Sequence, residues 1–169
     1  MKPGRRALGI AASDREKRSH LAGAVVRADR VVDGFGFGTC TVGGSDATAV
    51  VCDVFDRLGR EDLGYCFLAG IAPAWFNLLD LRAIHDHTGL ATLSVSFEAS
   101  PGLDAAIRDA FDDDAVIEAR LSTYRAQPDR RELSVDDEQL FVRSVGLDPA
   151  EAGDIVRAYT PAGGRPEPL

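Results

Sequence analysis

Residues 7–42 read ALGIAASDREKRSHLAGAVVRADRVVDGFGFGTCTV, and this stretch decides the fold. Ala7 to Ala12 is a short apolar run of the kind that forms a buried strand. The charged run Asp14-Arg15-Glu16-Lys17-Arg18 reads as a solvated turn. Leu21 to Ala28 (LAGAVVRA) gives a second strand, and Val31 to Val42 a third in which Phe35, Phe37, Thr39 and Thr41 share one face, because side chains alternate along a strand. Ala28-Asp29-Arg30 is a tight link that makes a hairpin of the last two. Three strands joined by such short links form an antiparallel meander. Gly34, Gly36 and Gly38 alternate within the third strand; they do not form a phosphate-binding turn but allow close packing or a bulge.

Beyond the meander the pattern changes to helix and strand in alternation. Gly43-Gly44-Ser45 ends the third strand, and Ser45 or Asp46 can cap a helix to about Leu58, whose stripe is Val50, Val51, Val54, Phe55 and Leu58. Leu63 to Ala69 (LGYCFLA) is apolar without alternation, which suits a central parallel strand covered on both faces. A loop over residues 70–76 follows; Asn77 then opens a helix to about Thr88, and Leu90 to Phe97 is the next strand. Helical pattern resumes after Ser100-Pro101-Gly102 through about Tyr124, broken at Asp112-Asp113-Asp114. Glu132 to Val135 and Gln139 to Val145 make a hairpin around Asp136-Asp137-Glu138, both acidic runs reading as solvated turns. Asp148 caps a last helix from Pro149 to about Tyr159. Strands that follow helices return by right-handed crossovers and lie parallel. The expected fold is therefore α/β: a mixed sheet of three antiparallel strands continued by parallel ones, helices on both faces, in the ribonuclease H-like arrangement. A dinucleotide fold would instead begin β-α-β with a Gly-rich turn.

The 169 residues fit one domain, 1–160, with a Pro/Gly-rich tail at 161–169. Hydrophobic residues at 45% and charged ones at 27% exclude a largely disordered chain. Cys40, Cys52 and Cys66 lack the short spacing of a zinc or redox pair and read as reduced core residues. Lys2, Arg5 and Arg6 precede an apolar run too short for a signal peptide, and no run reaches membrane-spanning length, so the expectation is a cytoplasmic protein with no membrane contact. The formal charge is −8, which weakens nonspecific attraction to phosphates. Composition leaves the oligomeric state open.

Several stretches together resemble the archaeal domain of unknown function 99 family, which is related to endonuclease V and is endonuclease dU-like. They are Lys2-Pro3-Gly4 with Leu8-Gly9-Ile10, Gly44-Ser45-Asp46-Ala47-Thr48, Ala69-Gly70-Ile71 with Trp75-Phe76-Asn77 and Asp80, and Arg165-Pro166-Glu167-Pro168-Leu169. They span nearly the whole chain and occur in family order. The resemblance implies Mg²⁺-dependent cleavage of DNA containing deaminated bases, and members that continue past the final motif, so that this chain is expected to be truncated there. Such chemistry needs carboxylates on adjacent strand ends to hold metal ions around the attacking and leaving oxygens. The family places them just after Leu-Gly-Ile and just before Gly-Ile; here those places hold Ala11, Ala12 and Ala69, and a methyl group cannot ligate a metal.

The residues left to carry chemistry are Asp46 and Asp80, as catalytic and metal-binding carboxylates, with Trp75, Phe76 and Asn77 contacting nucleic acid. Each has a plainer reading. Asp46 and Asp80 are acids favoured at helix starts by capping and the dipole. Trp75 and Phe76 either stack on an extruded base or pack into the core. Asn77 and Asp80, three apart on an expected helix, would face one site. His85 and His87, two apart, face different ways and share no metal; Asp14 and Glu16 replace the lost strand carboxylate only if their turn folds back. Two functions follow: an endonuclease V-like metal-dependent nuclease, weakened or inactive in this copy, or a non-catalytic relative that binds nucleic acid or protein. A hydrolase with an unrelated site lacks any Gly-x-Ser-x-Gly elbow or Cys/His pair. A nucleic-acid binder would gather Arg15, Arg18, Arg27 or Arg82 beside the Trp75 loop.

Overall fold

A computed structural model describes residues 4–161, 164 and 166–169. Lys2, Pro3 and Arg165, which carry part of the family resemblance, lie outside the described residues. The three-strand meander is present as β1 (Arg6–Asp14), β2 (Arg18–Arg27) and β3 (Val32–Thr41), joined antiparallel by β1–β2 and β2–β3 ladders. Helix α1 (Ala47–Leu58) leads to β4 (Leu63–Ala69), which lies parallel to β1; the short turn α2 (Pro73–Phe76) and helix α3 (Leu81–Thr88) lead to β5 (Ala91–Ser96), parallel to β4. Helices α4 (Asp104–Ala110) and α5 (Asp114–Arg125) precede the hairpin β6 (Arg131–Val135) and β7 (Glu138–Val145), and α6 (Pro149–Ala158) is the last helix among the described residues. The seven strands run in the order β3-β2-β1-β4-β5-β7-β6. The hairpin is antiparallel to β5 through β7 and extends the sheet on the side away from the meander.

Side-chain alternation divides the core into two layers. On one face Leu8, Ile10, Leu21 and Val25 of the meander meet Val51 and Val54 of α1 and Leu81 and Ile84 of α3. On the other, Tyr65, Phe67, Leu93 and Val142 meet Ile155, Val156 and Tyr159 of the last helical segment. Phe67 and Tyr159 pack edge to face with centroids 5.5 Å apart. Cys40, Cys52 and Cys66 are free and buried; burial pushes the Cys66 thiol up to about 12, so it stays an inert apolar group.

The alternation in β3 has an unusual occupancy. Its inner positions are glycines, and a Cβ on Gly38 would stand 2.5 Å from Val50 Cγ1, so the missing side chains let α1 lie directly on the strand. A register shift opposite Val25 and Val26 supplies the bulge as well. The large residues point outward: Phe35 and Phe37 are stacked at 6.4 Å and are each 64% exposed. Gly9 makes the second close approach, on the opposite side of the sheet from α1. A Cβ there would lie 1.6 Å from the Pro168 carbonyl oxygen, so Leu8-Gly9-Ile10 and the terminal Pro-Glu-Pro-Leu meet in space. At the amino end of β1, Arg6 and Arg60 each bridge Asp33 and Asp62 at 2.7–3.0 Å.

Two local expectations are corrected. Asn77 does not open a helix: α3 starts at Leu81, with the Asp80 carboxylate accepting from the Arg82 and Ala83 N–H groups at 3.1 Å each. The acidic break at 112–114 is a helix start, where Asp113 accepts from Ala115 N–H at 2.8 Å. The side chains of Asp148, whose backbone is extended, and Glu151 form a reciprocal capping pair on α6, as Asp148 was expected to do.

Candidate functional site

Strands β1, β4 and β5 are parallel, so their carboxyl ends share one edge of the sheet. The pairing Ile10–Leu68 carries the register forward to place Ala11 beside Ala69, on the face opposite α1. Both are exposed. Ala12 points to the other face, paired with Leu21. Two methyl groups therefore stand side by side at this edge, at the places where the sequence resemblance leads us to expect carboxylates.

Asp46 sits at the start of α1, but its side chain does not cap the helix. It reaches back to β3: Oδ1 accepts from Thr41 N–H at 3.0 Å and from the Asn77 amide at 2.7 Å, and Oδ2 accepts from the Thr41 hydroxyl at 3.0 Å. Burial by itself would raise the Asp46 carboxyl, but the hydrogen bonds from Thr41 and Asn77 outweigh it and hold the group below the usual aspartate range. Asn77 completes the cluster. Its Oδ1 accepts from Ala47 N–H at 2.9 Å, doing from a distant loop what a capping side chain does locally, and its Nδ2 also donates to the Thr41 carbonyl at 2.9 Å. Asn77 is fully buried and its amide is committed on both sides, which leaves nothing to offer a ligand.

Asp80 is committed to α3, while its own N–H donates to Thr48 Oγ1 at 3.0 Å. Asp14 closes β1 and accepts from Ser19 Oγ at 2.6 Å. Among the described residues no three His, Cys, Asp or Glu side chains converge as a metal site would require. The donor set present does not fit a magnesium-paired centre.

The aromatic pair behaves differently from the carboxylates. Ala74, Trp75 and Phe76 occupy the left-handed region in succession, with φ of 51°, 54° and 58°. Each such non-glycine residue costs about 1–3 kcal/mol and persists only where its surroundings dictate it. Here the Ala74 carbonyl accepts from Gly43 N–H at 2.7 Å, and Leu79 N–H donates to the Ile71 carbonyl at 2.8 Å. Arg120 of α5 clasps the segment: Nε donates to the Phe76 carbonyl at 3.2 Å, and Nη2 donates to the carbonyls of Gly43 and Gly44 at 2.6 and 2.7 Å. Its guanidinium lies 4.4 Å over the Phe111 ring. Phe76 packs edge to face on Phe111. Trp75, packed edge to face on Phe76 at 5.3 Å, is 56% exposed. The strained turn thus divides the two roles left open in the sequence: Phe76 anchors, and Trp75 is presented to solvent.

The arginines divide as well. The Arg15–Arg18 turn lies at the carboxyl edge, tied to the end of β3 by Val42 N–H donating to the Lys17 carbonyl at 3.1 Å. Arg27 is at the opposite edge and pairs with Asp29, and Arg82 donates to the Ala126 carbonyl. His85 contacts the Leu90 carbonyl at 2.7 Å, and His87 contacts Asp56 at 2.9 Å. Arg120 had no signature in the sequence, because an arginine on a polar helix reads as a solvated residue until the loop beneath it is seen.

No helix among the described residues is long and apolar enough to cross a membrane. A UPF0215 protein of Thermococcus gammatolerans is 35% identical over 155 residues, covering 90% of this chain and 76% of that one. A crystal structure of a protein of unknown function from Archaeoglobus fulgidus superposes with a TM-score of 0.84 at 26% identity, covering 97% of this chain and 91% of that one. Endonuclease V of Ciona intestinalis, solved with DNA containing an inosine followed by a ribo-adenosine, superposes at a TM-score of 0.60 and 10% identity, covering 98% of this chain and 81% of that one, a likeness of fold. The fold is the ribonuclease H-like α/β fold. Residues 3–169 match the family described as Endonuclease dU, and the chain belongs to that family.

Proposed function

We propose that this chain is a nucleic-acid-binding member of the endonuclease dU family in which metal-dependent phosphodiester cleavage is lost. The observation that carries the reading is the carboxyl edge itself: an exposed Trp75 on a clasped, strained turn, at the same edge as two methyl groups where paired carboxylates would stand. A rigid, exposed indole suits stacking on an unpaired or extruded base, and such stacking is worth about 1–3 kcal/mol per base. Magnesium is the metal the family implies, yet Asp46 and Asp80 are spent on β3, Asn77 and α3 and do not make a site that fits it. DNA with deaminated bases is the candidate ligand, by analogy with the inosine-containing DNA bound by the Ciona protein.

Trp75 is the only tryptophan, so its fluorescence reports directly on this edge. Titration with uracil- and inosine-containing oligonucleotides, single- and double-stranded, should quench that emission without producing cut strands in Mg²⁺ or Mn²⁺. Trp75→Ala, followed by anisotropy of a labelled oligonucleotide, should bind at least about tenfold more weakly. Metal-dependent cutting that disappears in a folded Asp80→Asn variant would overturn the reading, as would the absence of binding. A protein partner is the second reading, favoured by the stacked, exposed Phe35 and Phe37; it gains if nucleic acid does not bind.

A further inference from the structure

A cavity of about 570 Å³ opens at the carboxyl ends of β4 and β5, beneath the loop that leads to Trp75. Arg143 of β7 faces it from beside Ser94, its partner across the β5–β7 ladder, and Arg130, Ser96 and Tyr124 also line it. Arg130 Nη2 donates to Ser96 Oγ at 3.0 Å and to the Glu98 carbonyl, and its guanidinium lies 4.1 Å over the Phe141 ring. Arg143 Nη1 donates to the Pro128 carbonyl at 2.6 Å, with its guanidinium 5.6 Å from the Tyr124 ring centre. Both arginines are half-buried.

What distinguishes the pair is that two arginines without an ion-pair partner among the described residues line the same cavity. The chain has 27 acidic residues against 19 basic ones, and Arg6, Arg27, Arg60 and Arg125 each pair with an aspartate. Arg130 and Arg143 form no ion pair among the described residues. Glu98, the acidic residue of the lining, is exposed and gives Arg130 its backbone carbonyl. Burial, and then the charge of Arg143, lower the pKa of Arg130, but a guanidinium stays protonated at any ordinary pH. Two like charges are thus held toward one cavity by neutral carbonyl, hydroxyl and aromatic neighbours, an arrangement that repels itself until an anion enters. Planar guanidinium donors match the oxygens of a phosphate.

We propose that Arg130 and Arg143 form a clamp for a phosphate group, carried either by a nucleic-acid strand whose base reaches Trp75 or by a free mononucleotide. The strand source rests on the nucleic-acid reading above; the clamp itself does not. Four probes separate the cases: a single-stranded oligonucleotide, the same sequence with an uncharged methylphosphonate backbone, a 5′-mononucleotide and inorganic phosphate, each titrated calorimetrically into wild type, Arg130→Gln, Arg143→Gln and Arg143→Lys. Thermal unfolding establishes that each variant is folded.

The expected result is that the oligonucleotide binds, that the uncharged one binds at least about tenfold more weakly, and that each glutamine variant loses at least about tenfold. Arg143→Lys should retain more affinity than Arg143→Gln. The dependence of log affinity on log salt should become shallower by roughly 0.7 per arginine removed, the value for one single-strand phosphate contact, a change that a purely structural role would not produce. If the oligonucleotide quenches Trp75 with the same affinity and salt slope in both glutamine variants, the clamp is overturned and the nucleic-acid reading stands. Arginine-dependent binding of mononucleotide or phosphate without any oligonucleotide binding leaves the clamp and removes the strand. Binding of none of the phosphate-bearing probes overturns both.

Discussion

Replacing Asn77 with alanine tests whether the Asp46 cluster is architecture or chemistry. The substitution removes three hydrogen bonds: Ala47 N–H to Oδ1, and Nδ2 to the Thr41 carbonyl and to the Asp46 carboxylate. Ala47 is fully buried, so its orphaned N–H costs about 1–3 kcal/mol. The Thr41 carbonyl, on an exposed residue, and the half-buried Asp46 can recruit water, so together they cost about 1 kcal/mol. The space left by the amide adds about 1 kcal/mol. The expected loss is about 3–5 kcal/mol in urea unfolding followed by circular dichroism, a large fraction of the stability of an ordinary domain. Asn77→Asp keeps the acceptor for Ala47 but sets a second carboxylate against Asp46; its loss should shrink as pH falls and the pair shares a proton. A loss below about 1 kcal/mol for Asn77→Ala, or a pH-independent loss for Asn77→Asp, would refute the structural role assigned here.

Acid should destabilise the protein through named carboxylates. The hydrogen bond from Arg6 lowers the Asp33 carboxyl, that from Arg60 lowers Asp62, and Asp46 is lowered by Thr41 and Asn77 against its burial; lowered folded values mean stabilisation that is complete above the ordinary aspartate range and lost as pH falls through them. The urea midpoint should therefore decline between about pH 5 and pH 2 and decline less in Asp62→Asn, whereas an unchanged decline would contradict the assignment. Gly9→Ala should cost about 1–3 kcal/mol and expose residues 166–169 to carboxypeptidase, because its Cβ meets the Pro168 carbonyl; a variant as stable and protected as wild type would show that the tail does not rest there. Finally, the double change Ala11→Asp with Ala69→Asp should create Mn²⁺ binding measurable by calorimetry, since adjacent strands would then present two carboxylates on one face. If the double variant binds no more metal than wild type, the side-by-side placement is wrong.

The local periodicities carried much of the fold. The meander was readable because Ala7–Ala12, Leu21–Ala28 and Val31–Val42 are strand-patterned runs with links too short for a crossover, and the apolar run at 63–69 announced a strand covered on both faces. The alanines at 11 and 69 were equally readable, and the β1–β4 register sets them side by side. The role of Asn77 was not. Its three partners come from residues 41, 46 and 47, and no local pattern encodes a side chain that caps a helix thirty positions earlier. The left-handed turn at 74–76 was hidden for the same reason: neither Trp75 nor Phe76 favours that conformation, and it is imposed by Gly43 and by the Arg120 clasp from α5.

Sequence by itself thus determined the order of strands and helices, the separation of the sheet into two apolar faces, and the alanines at positions 11, 12 and 69, because each depends on residue type and spacing along the chain. Tertiary structure alone decided that the last hairpin joins beside β5, that Gly9 receives the terminal motif, that Trp75 rather than Phe76 meets solvent, and that Arg130 and Arg143 converge on one cavity. Those outcomes depend on contacts between residues far apart in the chain, where packing and hydrogen-bond satisfaction override local preference.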